Sequence, residues 1–432
     1  MFLRLPNSAA RFAVLVLAFA LAAALTFFSI RNARAANQSG LATRAGYEAA
    51  ARLEPANPEN WYLLGRYWQY TLDEPDPGRA IGNFRRALSL NPRYPDAWLD
   101  LGTLYEAEGD LSAARDAYLQ ARNAYPASAA VAWRYGNFLL RQDEVKPAFA
   151  EIRRAVYADP KRSAEAFSRC WRVDPDVQAV LDSVIPPERA AYLDVIRELV
   201  AADRLDETLT VWRRLVSFHP RMSLADVILL TDFLIQKSHF DDAHRVWRDA
   251  LLLTDVVTGD PPASVLWDGG FESNVSGGGF AWTSPVVSPG VQAGLDRRQK
   301  HSGQQSLRLF FDGKHNPNFE VYSNVEVRPE TTYRLSAWVR TQALTSDEGV
   351  RFRIYWFPNF SSDSHSSGSA DSQDSRGTQP WSRIEMPWTS GKDVHHARVS
   401  VLRNPSRGFD NRIQGTAWID DISLVPVGNP NP

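Results

Sequence analysis

Eight histidines and one cysteine, Cys170, are the groups in this 432-residue chain whose spacing could support catalysis or metal binding. His395 and His396 are adjacent in a stretch that reads as a strand, so they point to opposite faces and cannot chelate one ion together. His239 and His244 are five apart on a helical stretch and face different directions. The paired acids Asp241-Asp242 and Asp420-Asp421 are sequence neighbours. Glycoside hydrolysis instead needs two carboxyls about 5–9 Å apart across a cleft. The nucleophile elbow, the phosphate-cradling loop, the zincin helix and the dinucleotide fingerprint are all missing from the sequence. One cysteine can build neither an internal disulfide nor a multi-cysteine zinc site. The reading is therefore a protein that is not an enzyme and has no catalytic residues, with a glycoside-active enzyme as the weaker alternative.

Composition narrows the partners. Lys plus Arg is 48 against 50 Asp plus Glu, a formal net charge of −2. With no basic excess, nucleic acid is not an expected partner. At 44% hydrophobic and 23% charged residues the chain is ordinary globular material, long enough for two or three domains.

Phe12 to Ile30 runs for 19 residues without a charge, about the length that crosses a bilayer core as a helix. Arg4 and Arg11 precede it, which leaves residues 1–11 as a short cytoplasmic segment and exports the chain beyond the span. Ala33-Arg34-Ala35 offers an A-x-A cleavage pattern. Two readings stay open. One is a single-pass anchor through residues 12–30 in the inner membrane of a bacterial cell envelope, with the bulk of the chain periplasmic or extracellular. The other is secretion after cleavage of the signal near Ala35.

The first half repeats itself. Trp98, Leu101, Gly102, Tyr105, Ala114, Tyr118, Ala121 and Pro126 fall in one register. Thirty-four residues later it recurs as Tyr135, Gly136, Leu139, Ala148, Ile152, Ala155 and Pro160. One repeat earlier come Trp61, Leu64, Gly65 and Trp68, then Ala80, Phe84, Ala87 and Pro92. Tyr47, Ala50 and Pro55 read as the second half of a truncated repeat. Small residues at the crossings let two antiparallel helices approach, large ones fill the adjoining holes, and the proline ends the second helix. The register is lost over 161–186, and two worn copies follow around Trp212 and Trp247. This pattern resembles the tetratricopeptide repeat family, which implies an all-α solenoid over residues 40–254 stacked by its neighbours. The resemblance further implies a concave groove for a protein partner, lined by Tyr62, Arg66, Gln69, Thr103, Glu106, Trp133 and Asn137. The ordered Lys and Asn set with which some members clamp a C-terminal carboxylate is not there. Trp133, one position off the usual aromatic site, is either an extra core residue or a groove aromatic.

Thr258-Gly259-Asp260-Pro261-Pro262 breaks helix, and residues 255–264 read as a linker. Beyond it the hydrophobic period changes to two. Leu307, Leu309 and Phe311 alternate with polar or outward residues, as do Tyr333, Leu335, Ala337 and Val339, then Phe352, Ile354 and Trp356, then Ala397, Val399 and Val401. Short alternating strands between turns read as an antiparallel β-sandwich. By parity Trp338 and Arg340 point outward, as do Arg351, Arg353 and Tyr355. Aromatic rings stack on sugar rings and arginine forks bind carboxylates or hydroxyls, so this set reads as a ligand face for an acidic polysaccharide. The alternative places Trp338 under a loop or against the solenoid. Asn359 to Gly377, with eight serines, reads as a long loop rather than a strand.

The ordered series Gly269-Gly270-Phe271-Glu272, Phe280-Ala281-Trp282, His301-Ser302-Gly303-Gln304-Gln305-Ser306-Leu307, Tyr333 to Val339, Trp381 and Trp418 to Leu424 resembles the carbohydrate-binding jelly rolls of the galactose-binding-like type. The resemblance spans 265–428 and implies glycan binding. It also implies a structural calcium held by Glu272, Asp420 and Asp421 with carbonyl help near Ser302 and Gln304; carboxylates and carbonyls suit that hard cation.

These readings combine into a multidomain α-then-β chain with an N-terminal transmembrane helix, a tetratricopeptide-type solenoid and a C-terminal jelly roll. The expected function is a non-enzymatic exported adaptor in envelope or exopolysaccharide assembly, its solenoid holding a protein partner and its jelly roll a glycan. The rival is a pure protein-interaction scaffold with a structural jelly roll.

Overall fold

The computed structural model describes residues 8–427 except 73, 256–258, 262, 274–276, 285–287, 357–367, 393 and 410. The described residues form fourteen α-helices followed by nine β-strands, and the chain divides into two compact units, Met1–Pro186 and Pro187–Pro432. Most of the short cytoplasmic segment expected over 1–11 lies outside the described residues.

The helices of the first unit form where the sequence supplies start and stop signals. α3 (Pro58–Tyr70), α4 (Pro77–Leu90) and α5 (Pro95–Ala107) each begin with a proline, whose missing N–H costs nothing in the first turn. Asp76, Asp110 and Ser128 cap α4, α6 (Leu111–Ala124) and α7 (Ala129–Arg141) by accepting a first-turn N–H. The second helices α4, α6 and α8 (Val145–Ala158) stop with a single residue left before Pro92, Pro126 and Pro160. The Trp61 and Trp98 indoles donate to the Pro55 and Pro92 carbonyls, each at 2.9 Å, and so pin each first helix to the preceding turn.

Within each hairpin a glycine sets the crossing distance. A Cβ on Gly65 would lie 2.7 Å from the Phe84 ring, and one on Gly136 would lie 2.7 Å from Ile152 Cγ1. Phe84 and Ile152 are themselves fully buried. The register that fades over 161–186 still yields a hairpin, α9 (Ser163–Val173) and α10 (Val177–Val184). Its eight-residue second helix, closed by Pro186-Pro187, is too short to carry the repeat signature, yet Phe167, Cys170, Val180, Leu181 and Val184 are all fully buried.

The chain's first hairpin differs from the sequence reading. α1 is one continuous helix, Ser8–Ser39, and α2 (Arg44–Leu53) packs on its end. A Cβ on Gly46 of α2 would lie 2.4 Å from the Gln38 carbonyl oxygen, and Ala35 is fully buried. The half-repeat read around Tyr47 thus finds its missing first helix in the tail of α1. The apolar stretch Arg11–Ser39 is long and apolar enough to cross a membrane.

The second unit starts with two further hairpins, α11 (Arg189–Ala201) with α12 (Leu205–Val216) and α13 (Ile228–Gln236) with α14 (Phe240–Leu252). Residues 256–258 and 262 of the expected linker lie outside the described residues. The described remainder is tied down: the Asp260 carboxylate accepts the N–H of Asp268 and Gly269, and Val265 N–H donates to Leu424 O.

Two antiparallel sheets complete the second unit. One orders β1 (Val291–Asp296), β2 (Ser306–Asp312), β9 (Gln414–Pro426), β4 (Thr332–Leu344) and β7 (Gly377–Thr389). The other orders β3 (Phe319–Glu326), β8 (His396–Arg403), β5 (Arg351–Trp356) and β6 (Gly368–Asp371). The sheets bury one shared core that includes Leu309, Phe311, Leu335, Val339, Phe352, Ile354, Val399 and Ile419, a jelly-roll sandwich. The stretch read as a single loop over 359–377 contains β6, which pairs with β5 through Arg353–Asp371 and Ile354–Ala370; residues 359–367 lie outside the described residues. Serine-rich composition hid a four-residue edge strand, too short to show alternation. The last helical hairpin and the sandwich meet tightly: Gly279 N–H donates to Asp232 Oδ1 at 2.6 Å, and a Cβ on Gly278 would lie 2.4 Å from Ile228.

The crossing argument predicts opposite outcomes for two alanines in one hairpin. Gly65→Ala forces a methyl into the Phe84 ring and lowers stability by about 1–3 kcal/mol. Gly82→Ala in α4, where an added Cβ meets nothing within 4 Å, raises it by up to about 1 kcal/mol. Urea unfolding followed by circular dichroism checks both, and equal shifts would refute the crossing role of Gly65.

Candidate functional site

The first helices α3, α5 and α7 lie side by side, and a ladder of side chains runs across them. Asp100 of α5 is at its centre, its side chain 4% exposed. It accepts the Tyr62 hydroxyl at 3.1 Å and the Arg134 guanidinium at 2.8 Å, with Arg66 3.8 Å away. Burial, and next the Asp100 charge, raises the Tyr62 pKa above the ordinary phenol range, so the hydroxyl stays a donor. Glu106 accepts both arms of Arg141 and the Tyr118 hydroxyl. Asn137 accepts from Arg169 at 2.8 Å, and Trp133 lies 5.2 Å beneath both Arg162 and Arg169.

Of the groove set named from the sequence, Arg66, Gln69, Thr103, Glu106 and Trp133 lie on these helices and are not buried. Tyr62 and Asn137 are corrections: both are buried, Tyr62 against Tyr94 at 4.8 Å and Asn137 in the hold of Arg169. Sequence reasoning missed Asp100, Arg134, Arg141 and Arg169. A signal was present, because Arg66, Asp100 and Arg134 stand one repeat period apart. Arg66, Arg134 and Arg141 keep about half their side chains exposed, whereas their carboxylate partners are less so, Asp100 at 4% and Glu106 at 17%. The face therefore presents guanidinium forks held in place from below, a surface suited to carboxylates or backbone carbonyls.

In the sandwich the five residues read as one ligand face separate. Trp338 and Arg340 lie on β4, on the outer side of the five-stranded sheet; Arg351, Arg353 and Tyr355 lie on β5, on the outer side of the other sheet. Parity along each strand was legible, but which sheet each strand joins depends on long-range pairing. On β5 the arginines are committed, Arg353 in a two-pronged pair with Asp371 and a bond to Tyr355, and Arg351 to Glu348. On the five-stranded sheet, His301 stacks on Trp338 at 3.9 Å and 14°, and Trp381 of β7 stands edge-on to His301 at 5.8 Å. Arg340 lies over Trp418, whose indole donates to Asp296 Oδ2 at 2.9 Å. Arg308, opposite Trp418 in the register, extends this face. His301 covers one side of Trp338, so Trp381 is the less encumbered ring.

The carboxylates that the resemblance implies for calcium also accept hydrogen bonds within the protein. Glu272 Oε1 accepts the N–H of Gln304 at 2.8 Å. Asp420, fully buried, accepts the N–H of His301 and of Ser302; Asp421, at φ 48°, bonds His301 Nδ1 and the Ser302 hydroxyl, each at 2.6 Å. Among the described residues no three His, Cys, Asp or Glu side chains gather as a metal-ligand set. Glu272, Asp420 and Asp421 thus shape the turn that carries His301 onto Trp338. Cys170 is buried with its thiol pushed up to about 12 by burial, the opposite of an activated nucleophile.

Residues 72–132 match the tetratricopeptide repeat family model. No curated protein matches the sequence. Among solved structures, YrrB, a TPR protein with an unusual peptide-binding site, is 15% identical, covers 49% of this chain and 93% of its own, and superposes with a TM-score of 0.26. A xylan-binding domain from CBM 22 is 16% identical over 40% of this chain and 100% of its own, TM-score 0.28. The enzymatically active domain of bacteriophage CBA120 tailspike protein 4 is 11% identical over 38% of this chain, TM-score 0.28, and the match spans 22% of that protein. These likenesses are partial.

The buried acids make the second unit pH-sensitive in a defined direction. Burial raises Asp268 from 3.8 to about 7 and Asp420 from 3.8 to about 6, although backbone N–H groups oppose it in both. The folded state then holds protons that the unfolded chain has released, so each residue subtracts stability as pH rises from about 4 towards those values. His396, lowered to about 4 by burial and packed on Phe240, subtracts stability as pH falls through the same range. Asp268→Asn should gain thermal midpoint over the wild type progressively between pH 4 and pH 8. A constant difference in scanning fluorimetry would refute the raised value.

Proposed function

We propose that this protein is a non-enzymatic, membrane-anchored adaptor of the bacterial cell envelope, acting in envelope or exopolysaccharide assembly. Its repeat groove holds a protein partner, and its jelly roll binds a glycan on the outer side of the five-stranded sheet. The observation that carries the glycan reading is the cluster Trp338, His301 and Trp381 with Arg340 and Arg308 beside it, an aromatic platform with guanidinium forks at its margin. The opposite sheet face suits a glycan less, because Arg351 and Arg353 are neutralised by Glu348 and Asp371. The groove reading is supported by forks held on less exposed acids across successive repeats. The anchor reading rests on the length of the uncharged run Phe12 to Ile30, about what crosses a bilayer core as a helix.

A glycan array of acidic and neutral polysaccharides tests the sheet face. Trp381→Ala and Arg340→Ala should each weaken binding at least tenfold, and Arg353→Ala on the opposite sheet should leave it within twofold. Equal loss in all three, or none in any, would remove the proposed face. For the anchor, the mass of the protein recovered from membranes after alkaline extraction should include residues 12–35; a product starting at Ala36 would refute retention.

A further inference from the structure

We propose that the second unit holds another ligand site, between α14 and the sandwich, that takes a single neutral sugar ring. It is separate from the sheet face and does not require that face to bind glycan. A cavity of about 300 Å³ opens there, lined by Trp247, Arg248, Asp260, Trp267 and Glu326 among others; this is the lower end of the range for small-molecule sites. Its walls are aromatic. Trp247 is 2% exposed and packs edge-to-face with Trp267 at 5.3 Å and 84°, and Phe280 lies 5.8 Å from Trp247. Trp267 is half-buried, so its ring borders the opening.

The polar groups select the ligand. The Trp247 indole N–H is buried without a hydrogen-bond partner among the described residues. Its Cε3–Cζ3 edge is the one turned to Gly279, and the N–H sits on the other side of the ring. A donor in that position is costly, about 1–3 kcal/mol, unless something supplies an acceptor. Glu326 is held ionised by His244, whose Nδ1 lies 2.5 Å away, so it offers acceptor oxygens, and Arg248 offers donors. An anion would meet Glu326 and Asp260 and be repelled. An apolar ligand would strand the indole N–H and the charged groups. A ring of hydroxyls, each both donor and acceptor, with an apolar C–H face for Trp267, satisfies both sets.

The full chain is titrated with D-glucose, D-galactose and D-xylose, reading tryptophan fluorescence and calorimetric heat. At least one should bind saturably. Trp381→Ala should leave that affinity within twofold, and Trp267→Ala should lower it at least tenfold. Trp247→Phe keeps the ring and removes only the N–H; it should lower affinity about two- to tenfold, the worth of one hydrogen bond. It decides the matter if Trp267→Ala does not fold. The site is refuted if none of the three sugars binds, if binding survives Trp247→Phe unchanged, or if Trp381→Ala abolishes it, which would place the sugar on the sheet face. Polysaccharide binding lost in Trp381→Ala alone concerns the sheet face and leaves this cavity untouched.

Discussion

The closeness of the helix crossings governs the first unit. At Gly65 and Gly136 there is no room for a methyl between the first helix and the aromatic or branched side chain beneath it. That contact sets how near the two helices of a hairpin lie and holds their relative rotation the same from one repeat to the next. Because the rotation repeats, residues one period apart come to the same height on neighbouring first helices. Arg66, Asp100 and Arg134 meet for that reason. A looser crossing would let each hairpin turn independently, and an ion pair spanning three repeats would not form. Packing therefore acts first and electrostatics second, as the modest worth of exposed ion pairs requires.

A related division of labour appears in the sandwich. Carboxylates there are satisfied by protein donors, and each fixes a group on the outer side of the sheet. Asp421 holds the His301 ring, and that ring lies on Trp338. Asp296 accepts the Trp418 indole, over which Arg340 lies. Asp420 takes the N–H groups of His301 and Ser302 and so shapes the turn from which His301 projects. Burial raises the pKa of Asp420, a cost that is tolerated because backbone N–H groups stand ready as donors. The outward groups are consequently restrained before any ligand arrives, which reduces the ordering cost of binding.

Periodicity made much of this legible and topology hid the rest. The 34-residue register placed the hairpins, and the two-residue alternation placed Tyr333, Leu335, Ala337 and Val339 in the core, because both signals are local and each repeats several times. Three features escaped. Sheet membership separated Trp338 from Arg353, and it rests on the pairing of β4 with β7 and β9 and of β5 with β6 and β8, contacts between strands far apart in sequence. The buried state of Tyr62 comes from Tyr94, a residue of the next repeat. The pairing of α2 with the tail of α1 was masked because the apolar run dominates that stretch and Ala35 reads equally well as a cleavage residue.

The glycines of the second unit carry the same logic to the junction of helix and sheet. Gly278 and Gly279 lie where α13 and α14 leave no space for side chains, and Gly279, at φ 59°, gives its N–H to Asp232. Any residue with a Cβ would push the 277–280 turn off the helices and take Phe280 from Trp247. The turn at 277–280 is locked against the last hairpin whatever the tether before it does. A helical repeat normally needs a polar cap on its final face. Here the sandwich covers that face, so the jelly roll closes the helical stack of its own unit as well as offering a surface of its own.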